Sequence, residues 1–312
     1  MSSKIIYVAL QQFCQEGEAP RRLLLEAGFE VRQNTMGRRL RREDLVLLLG
    51  ESDAVLAGIE PYDAQTLSAL PRLRLISRCG VGTDSIDLEA AKQRRVAVLT
   101  TAEEVVQPVA ELTVAMMLGL ARNFPRHLRE LGAGEWKKHT GHLLSEWTVG
   151  LVGYGRIGRA VHRLLSPFSP RIVVCDPLLT GNPPAGVTVC PLAQLLKETD
   201  VVSLHAGRPA GEGPLIGREE LASMKSGSFL INTARGHLVD EGALEEALRA
   251  GRLAGAALDV FQEEPYRGPL IGCPNVILTP HVASLTQASR LAMELACARN
   301  VVEFFRGNGR VL

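Results

Sequence analysis

Val149 to Val161 reads "VGLVGYGRIGRAV". An apolar run meets Gly153-x-Gly155-x-x-Gly158, and helical periodicity follows. A buried strand that turns sharply into a helix needs glycine three times. Gly153 allows the tight turn, Gly155 lets a pyrophosphate approach the backbone, and Gly158 lets the helix pack on the sheet. The helix N-terminus then offers free N–H groups and a partial positive charge. Asp176 ends the next strand, "RIVVCD", eighteen residues beyond Gly158. A carboxylate there can hold both ribose hydroxyls of NAD and would repel the 2′-phosphate of NADP. Glycine turns alone are common, but the strand, the helix and the acid together predict a dinucleotide site.

The motif lies in the middle of 312 residues, so a different domain precedes it. Upstream, "KIIYVAL", "FEVRQ", "DAVLAG", "LRLISRC" and "VAVLT" read as strands between helical segments. Downstream, "RIVVCD", "DVVSLH", "GSFLINT", "LAGAALDV" and "NVILTP" repeat the rhythm. Strand–helix alternation predicts parallel sheets covered on both faces. The expected fold class is α/β with two Rossmann-like domains and an active-site cleft between them. A helix is predicted from about Pro108 to Asn123, with Pro125 at its exit, and a last helix over roughly 286–306. Ser284-x-x-Gln287 has capping-box spacing before that last helix.

Composition is that of a globular chain, 46% hydrophobic and 22% charged, with net charge +1. Bulk electrostatics therefore point to neither a nucleic-acid nor a membrane partner. The basic cluster "GRRLRRED", Gly37 to Asp44, reads as a solvated helix face. Six scattered cysteines form no C-x-x-C pair, so no metal site or disulfide framework is expected. No signal peptide is visible, and the most apolar helical stretch falls well short of the roughly 20 residues of a membrane span. A cytoplasmic protein is the expectation.

Three polar groups follow strands of the second series. Arg235 follows "FLINTA", Glu264 lies beyond Asp259 in "LDVFQEEP", and His281 follows "VILTP". Hydride transfer to a keto acid needs a cation for the carboxylate, which Arg grips bidentately. It also needs an acid for the carbonyl oxygen, and His works near neutral pH. A carboxylate behind the His fixes its tautomer and favours the imidazolium. Glu263 is as good a candidate for that carboxylate on chemistry alone. Each of the three could also be an ordinary surface or structural residue. Their company with a dinucleotide motif favours the catalytic set.

The sequence resembles the D-isomer-specific 2-hydroxyacid dehydrogenase family along nearly its whole length. "LVGYGRIGRAV" is similar to its cofactor motif, "INTARGHLVDEGALEEALRAGRLAGAALDVFQEEP" to its most specific signature, and "TPHVAS" to its histidine segment. "SRCGVGTDSIDLEAA" is similar to its substrate loop, and that loop and "KKHTG" (Lys137 to Gly141) place the nearest motifs among phosphoglycerate dehydrogenase-like members.

The resemblance implies Arg235 as substrate-binding arginine, His281 as acid/base and Glu264 as its partner. It implies that Arg78, Cys79, Gly80, Val81 and Gly82 hold the substrate with Arg235 and His281. Arg156, Ile157, Asp176 and Ala206 would line the NAD, joined by Val81, Thr233, Ala234, Asp259 and Ser284. It further implies a substrate-binding domain over 1–99, completed by a C-terminal helix over 285–312. The NAD-binding domain would span 100–284, and the enzyme would be a homodimer.

Four places depart from the family pattern: the glycine-rich "HAGRPAGEGPLIG" with Arg208, Ala283, Ser85, and "VLAGIEP", which lacks an Arg-Ser pair suited to a phosphorylated substrate. The implied activity interconverts a small D-2-hydroxy acid and its 2-keto acid, with 3-phosphoglycerate/3-phosphohydroxypyruvate as one pair and hydroxypyruvate/glyoxylate reduction as the alternative. A non-catalytic NAD-sensing scaffold, as in corepressors resembling the family, is the reading from another class. It ranks behind because the chain shows no long disordered tail. A formate dehydrogenase is disfavoured by length.

Overall fold

A computed structural model describes residues 3–180, 183–207 and 212–307. The chain divides into two compact units, Met1–Val105 with Leu285–Leu312, and Val106–Ser284.

The first unit holds strands β1 (Ile5–Val8), β2 (Glu30–Gln33), β3 (Ala54–Ala57), β4 (Leu75–Arg78) and β5 (Ala97–Thr100). They form one parallel sheet in the order β2-β1-β3-β4-β5. The central strands β1 and β3 are buried along their whole length, as continuous apolar runs in a two-sided sheet require. Leu45, Leu49, Val55, Tyr62 and Ile76 build the core on one face. The helix Gln287–Phe305 returns to this unit, and its Cys297 carbonyl accepts the buried Ser77 hydroxyl of β4 at 3.1 Å.

The second unit holds β6 (Thr148–Val152), β7 (Arg171–Cys175), β8 (Val187–Val189), β9 (Val201–Leu204), β10 (Ser228–Asn232), β11 (Leu253–Leu258) and β12 (Val276–Leu278). The order β12-β11-β10-β9-β6-β7-β8 is parallel throughout. The chain runs outward one way from β6 to β8, then resumes beside β6 at β9. That reversal opens a crevice at the carboxyl ends of β6 and β9, where ligands of such sheets bind. Apolar cores cover both faces of the sheet, one of them built with the helices Val106–Ala121 and Arg156–Leu165. Among the described residues, no helix is long and apolar enough to cross a membrane.

The structure corrects two local expectations and adds one strand. Pro125 opens a second helix, Phe124–Gly132, instead of only ending the previous one, which closes at Ala121. Pro is well placed there, since the first helical N–H groups have no intrahelical partner anyway. The last helix is capped by Thr286, whose hydroxyl accepts from the Ser289 N–H, so the capping pair is Thr286–Ser289 and not Ser284–Gln287. The short edge strand β8 carried no readable alternation, being three residues long with one buried side chain.

The basic cluster is solvated, but most of it precedes the helix Arg42–Leu49 and does not form a helix face. Arg38 meets Asp44 at 2.7 Å, and Arg42 pairs with Asp63. Arg208 lies outside the described residues.

Candidate active site

The glycine turn closes as its spacing requires. Gly153 has φ +93°, and a Cβ there would lie 2.6 Å from the His205 carbonyl carbon. A Cβ on Gly158 would lie 2.3 Å from the Gly153 carbonyl oxygen. Nothing lies within 4 Å of a Cβ built on Gly155, so the space above its backbone is open. Gly155 is also the N-cap of helix Arg156–Leu165, with no side chain capping it. Open space over uncapped N–H groups fits a pyrophosphate.

Beside this turn, burial pushes the pKa of His205 down to about 4, and its Nε2 hydrogen bonds the Ser203 hydroxyl at 2.9 Å. The imidazole is therefore neutral near pH 7. Asp176, just beyond β7, accepts the Tyr154 N–H at 2.7 Å and the Leu178 N–H at 2.8 Å. Its carboxylate thus braces the glycine turn from the position that the ribose reading needs.

Ile157 and Ala206 pack against the cores beneath the turn. Arg156 opens the helix, and Ser284 ends the unit. The Thr233 hydroxyl, after β10, lies 2.9 Å from that of Thr113, which itself donates to the Val109 carbonyl.

Arg235 follows β10 and Ala234. The Asn232 side chain ties this turn, donating to the Arg235 carbonyl and accepting the Ala234 N–H. The next residue, Gly236, lies against the backbone of Phe261 after β11. From that second loop Glu264 reaches His281, with the Glu264 oxygens 2.9 and 3.1 Å from His281 Nδ1. The Phe261 N–H donates to the same carboxylate at 3.2 Å. Nδ1 is thereby engaged and Nε2 is left for chemistry. The geometry separates the two glutamates that sequence left equal: it is Glu264 whose carboxylate meets the imidazole.

Sequence reading missed what Asp259 does here. The residue is fully buried, and its carboxylate accepts the Thr279 hydroxyl at 2.6 Å and the N–H groups of Val282 and Ala283 at 2.8 and 2.9 Å. These bonds flank His281, which sits at φ +55°. A non-glycine residue rarely adopts that region, and surrounding bonds must hold it there. Three hydrogen bonds on one buried carboxylate do so. The only signal in the sequence was an acid ending an apolar strand, which reads equally well as a ligand for NAD.

Arg235, Glu264 and His281 therefore gather after β10, β11 and β12, and the glycine turn and Asp176 follow β6 and β7, all at the carboxyl end of one sheet. The loop Arg78–Gly82 belongs to the first unit, after β4. Its Gly80 has φ +132°, and its N–H donates to the Thr101 hydroxyl at 2.7 Å. Val81 is partly exposed, and Cys79 is buried. Among the described residues no group of His, Cys, Asp and Glu is arranged to hold a metal ion.

The family model of the D-isomer specific 2-hydroxyacid dehydrogenase NAD binding domain matches residues 114–283. A glyoxylate reductase of Pyrococcus furiosus is 36% identical, over 91% of this chain and 88% of that protein. A D-3-phosphoglycerate dehydrogenase of Archaeoglobus fulgidus is 34% identical over 90% of this chain, which spans only 54% of that protein. The crystal structure of D-lactate dehydrogenase from Aquifex aeolicus, complexed with NAD and lactic acid, superposes with a TM-score of 0.86 at 26% identity, covering 98% of this chain and 96% of that one. The chain belongs to the D-isomer specific 2-hydroxyacid dehydrogenase family, whose members are NAD-dependent oxidoreductases.

Proposed function

We propose that this protein interconverts a small D-2-hydroxy acid and its 2-keto acid, with NAD as cofactor. The observation that carries the reading is the Glu264–His281 pair, with Nδ1 held at 2.9 Å, on the same sheet edge as Arg235 and the open glycine turn. NAD, when bound, supplies the hydride acceptor for oxidation and, reduced, the hydride donor. The protein's own residues do the rest. Arg235 neutralises and orients the substrate carboxylate. His281 gives a proton from Nε2 to the carbonyl oxygen during reduction and takes it back during oxidation. Glu264 keeps the ring oriented and stabilises its charged form. Asp259 holds the turn that aims it.

The first unit is proposed as the substrate-binding domain and the second as the NAD-binding domain. Substrate contact by Arg78, Cys79, Gly80, Val81 and Gly82 is proposed on the resemblance of that loop and on its place after a strand's carboxyl end. Relatives bearing the names D-3-phosphoglycerate dehydrogenase and glyoxylate reductase make the phosphorylated and unphosphorylated C2–C3 acids the substrates to try. NADH oxidation with glyoxylate, hydroxypyruvate, pyruvate and 3-phosphohydroxypyruvate is the assay. A cytoplasmic location is proposed with it, supported by six cysteines that are all free.

Asp176 should set the choice of nucleotide. Wild-type kcat/KM is expected to favour NADH over NADPH by about tenfold or more, because a carboxylate facing a 2′-phosphate is repelled. Asp176→Ala should narrow the gap mostly by weakening NADH, since it also removes the brace on the Tyr154 N–H. Steady-state kinetics with both nucleotides check this, and a wild-type preference for NADPH would refute it.

A homodimer is also proposed. Phe124, Leu128 and Leu131 lie at i, i+4 and i+7 of one helix face and are 55%, 71% and 59% exposed, with Trp136 at 83% beyond them. Such a patch on a soluble chain marks an interface, and a second copy satisfies it by two-fold symmetry. Sedimentation should give a dimer for the wild type and a monomer for Leu128→Glu combined with Trp136→Ser. A monomeric wild type would end this proposal.

A further inference from the structure

The proposed dehydrogenase reading leaves open whether the acid carries a phosphate, and the carboxyl end of the first unit's sheet bears on that. β3 and β4 are neighbours, with Ala57 beside Arg78. The loop after β3 therefore adjoins the loop Arg78–Gly82. The guanidinium of Arg78 folds over its own loop. Its Nε donates to the Gly82 carbonyl at 3.0 Å, its Nη1 donates to the Cys79 carbonyl, and it would lie 2.9 Å from a Cβ on Gly80.

In the neighbouring loop stands Glu60, only 2% exposed. Its Oε2 accepts the Gly58 N–H at 2.7 Å, and Oε1 would lie 2.7 Å from a Cβ on Gly58. A Cβ at residue 58 would press on this carboxylate, which is folded back on the end of β3. Burial raises the pKa of Glu60, while the N–H groups and then Arg78 and Arg39 oppose that rise. The fully buried Tyr62 hydroxyl close by has no hydrogen-bond partner. A buried acid set among a cation and an orphaned hydroxyl is costly, and the Gly58 N–H it accepts offsets only part of that cost.

We infer that Glu60 is a positioning residue for substrate choice: its charge offsets that of Arg78 beside the loop Arg78–Gly82, so that loop suits an acid with one negative charge and disfavours one with a phosphate at C3. The substrate class is then an unphosphorylated 2-hydroxy or 2-keto acid. A dianionic phosphate would meet a guanidinium already engaged by the Gly82 and Cys79 carbonyls and a carboxylate that repels it.

Hydroxypyruvate and 3-phosphohydroxypyruvate differ only in that phosphate, which makes them the test pair. The wild-type enzyme should show the higher kcat/KM for hydroxypyruvate. Glu60→Gln keeps the acceptor for Gly58 and removes the charge. It should raise the ratio of kcat/KM for the phosphorylated over the plain acid by about tenfold or more, through KM rather than kcat. Glu60→Asp keeps the charge and should stay near the wild-type ratio. A wild type that prefers the phosphorylated acid overturns the inference even if no variant folds. An unmoved ratio in Glu60→Gln, or equal shifts in Gln and Asp, also overturns it. Turnover of none of glyoxylate, hydroxypyruvate, pyruvate and 3-phosphohydroxypyruvate by the wild type overturns the dehydrogenase reading and this inference together.

Discussion

His281→Ala should lower kcat for keto-acid reduction by about 100- to 10,000-fold, the range that general acid catalysis contributes. The carbonyl oxygen gains charge as the hydride arrives, and without the imidazole only water can protonate it. Nucleotide affinity should hold, because the glycine turn and Asp176 lie after β6 and β7 while His281 follows β12. Glu264→Gln keeps a hydrogen-bond acceptor for Nδ1 but removes the charge that steadies the imidazolium, so it should cost less than His281→Ala. Glu263→Gln should cost little, since the Glu264 carboxylate occupies Nδ1. Pre-steady-state and steady-state rates with NADH check the series. A His281→Ala enzyme within tenfold of wild type would remove the imidazole from the mechanism.

Gly236→Ala should be nearly as damaging, through one methyl group. A Cβ at this position would lie 1.9 Å from the Phe261 carbonyl carbon, 2.0 Å from its oxygen and 2.5 Å from the Gln262 nitrogen. These are backbone atoms, so no rotamer change relieves the clash. The loop after β10 must then part from the loop after β11. Arg235 immediately precedes the clash, and Phe261 donates to Glu264, so one displacement disturbs all three proposed catalytic residues. Overpacking of this kind costs about 3 kcal/mol, and displacements near 1 Å at a reacting geometry cost about 100-fold in rate. Thermal unfolding and kcat/KM read the two effects. A variant with wild-type Tm and turnover would show that the loops are not pressed together in solution.

The two sheets and the glycine turn were legible in sequence because a parallel sheet writes each buried strand as a run of apolar residues. "VGLV", "RIVVC" and "SFLIN" became β6, β7 and β10. Legibility failed where tertiary context decides. β8 is a short edge strand with only Val187 buried, so it has no pattern to read. Pro125 looks like a stop in sequence, yet a new helix begins there after Asn123 turns left-handed at φ +53°. Ser284 and Thr286 offer competing caps, and it is the Thr286 hydroxyl that meets the Ser289 N–H.

At the site, residue types were readable and partners were not. The choice between Glu263 and Glu264 depends on how a loop folds. That Asp259 spends its carboxylate on Thr279, Val282 and Ala283 follows from the approach of β12's exit to that of β11, which no local spacing records. Glu60 is the same kind of case. In sequence it is one acid in "GIEP", and its meaning comes from the pairing of β3 with β4.

The measurement that bears most directly on the central claim is reduction of hydroxypyruvate by NADH with the enantiomer of the product determined. The account predicts NADH consumption matched mole for mole by D-glycerate, slowed about 100-fold or more in His281→Ala. NADH left unconsumed across the keto-acid panel, or formation of the L-enantiomer, would contradict it.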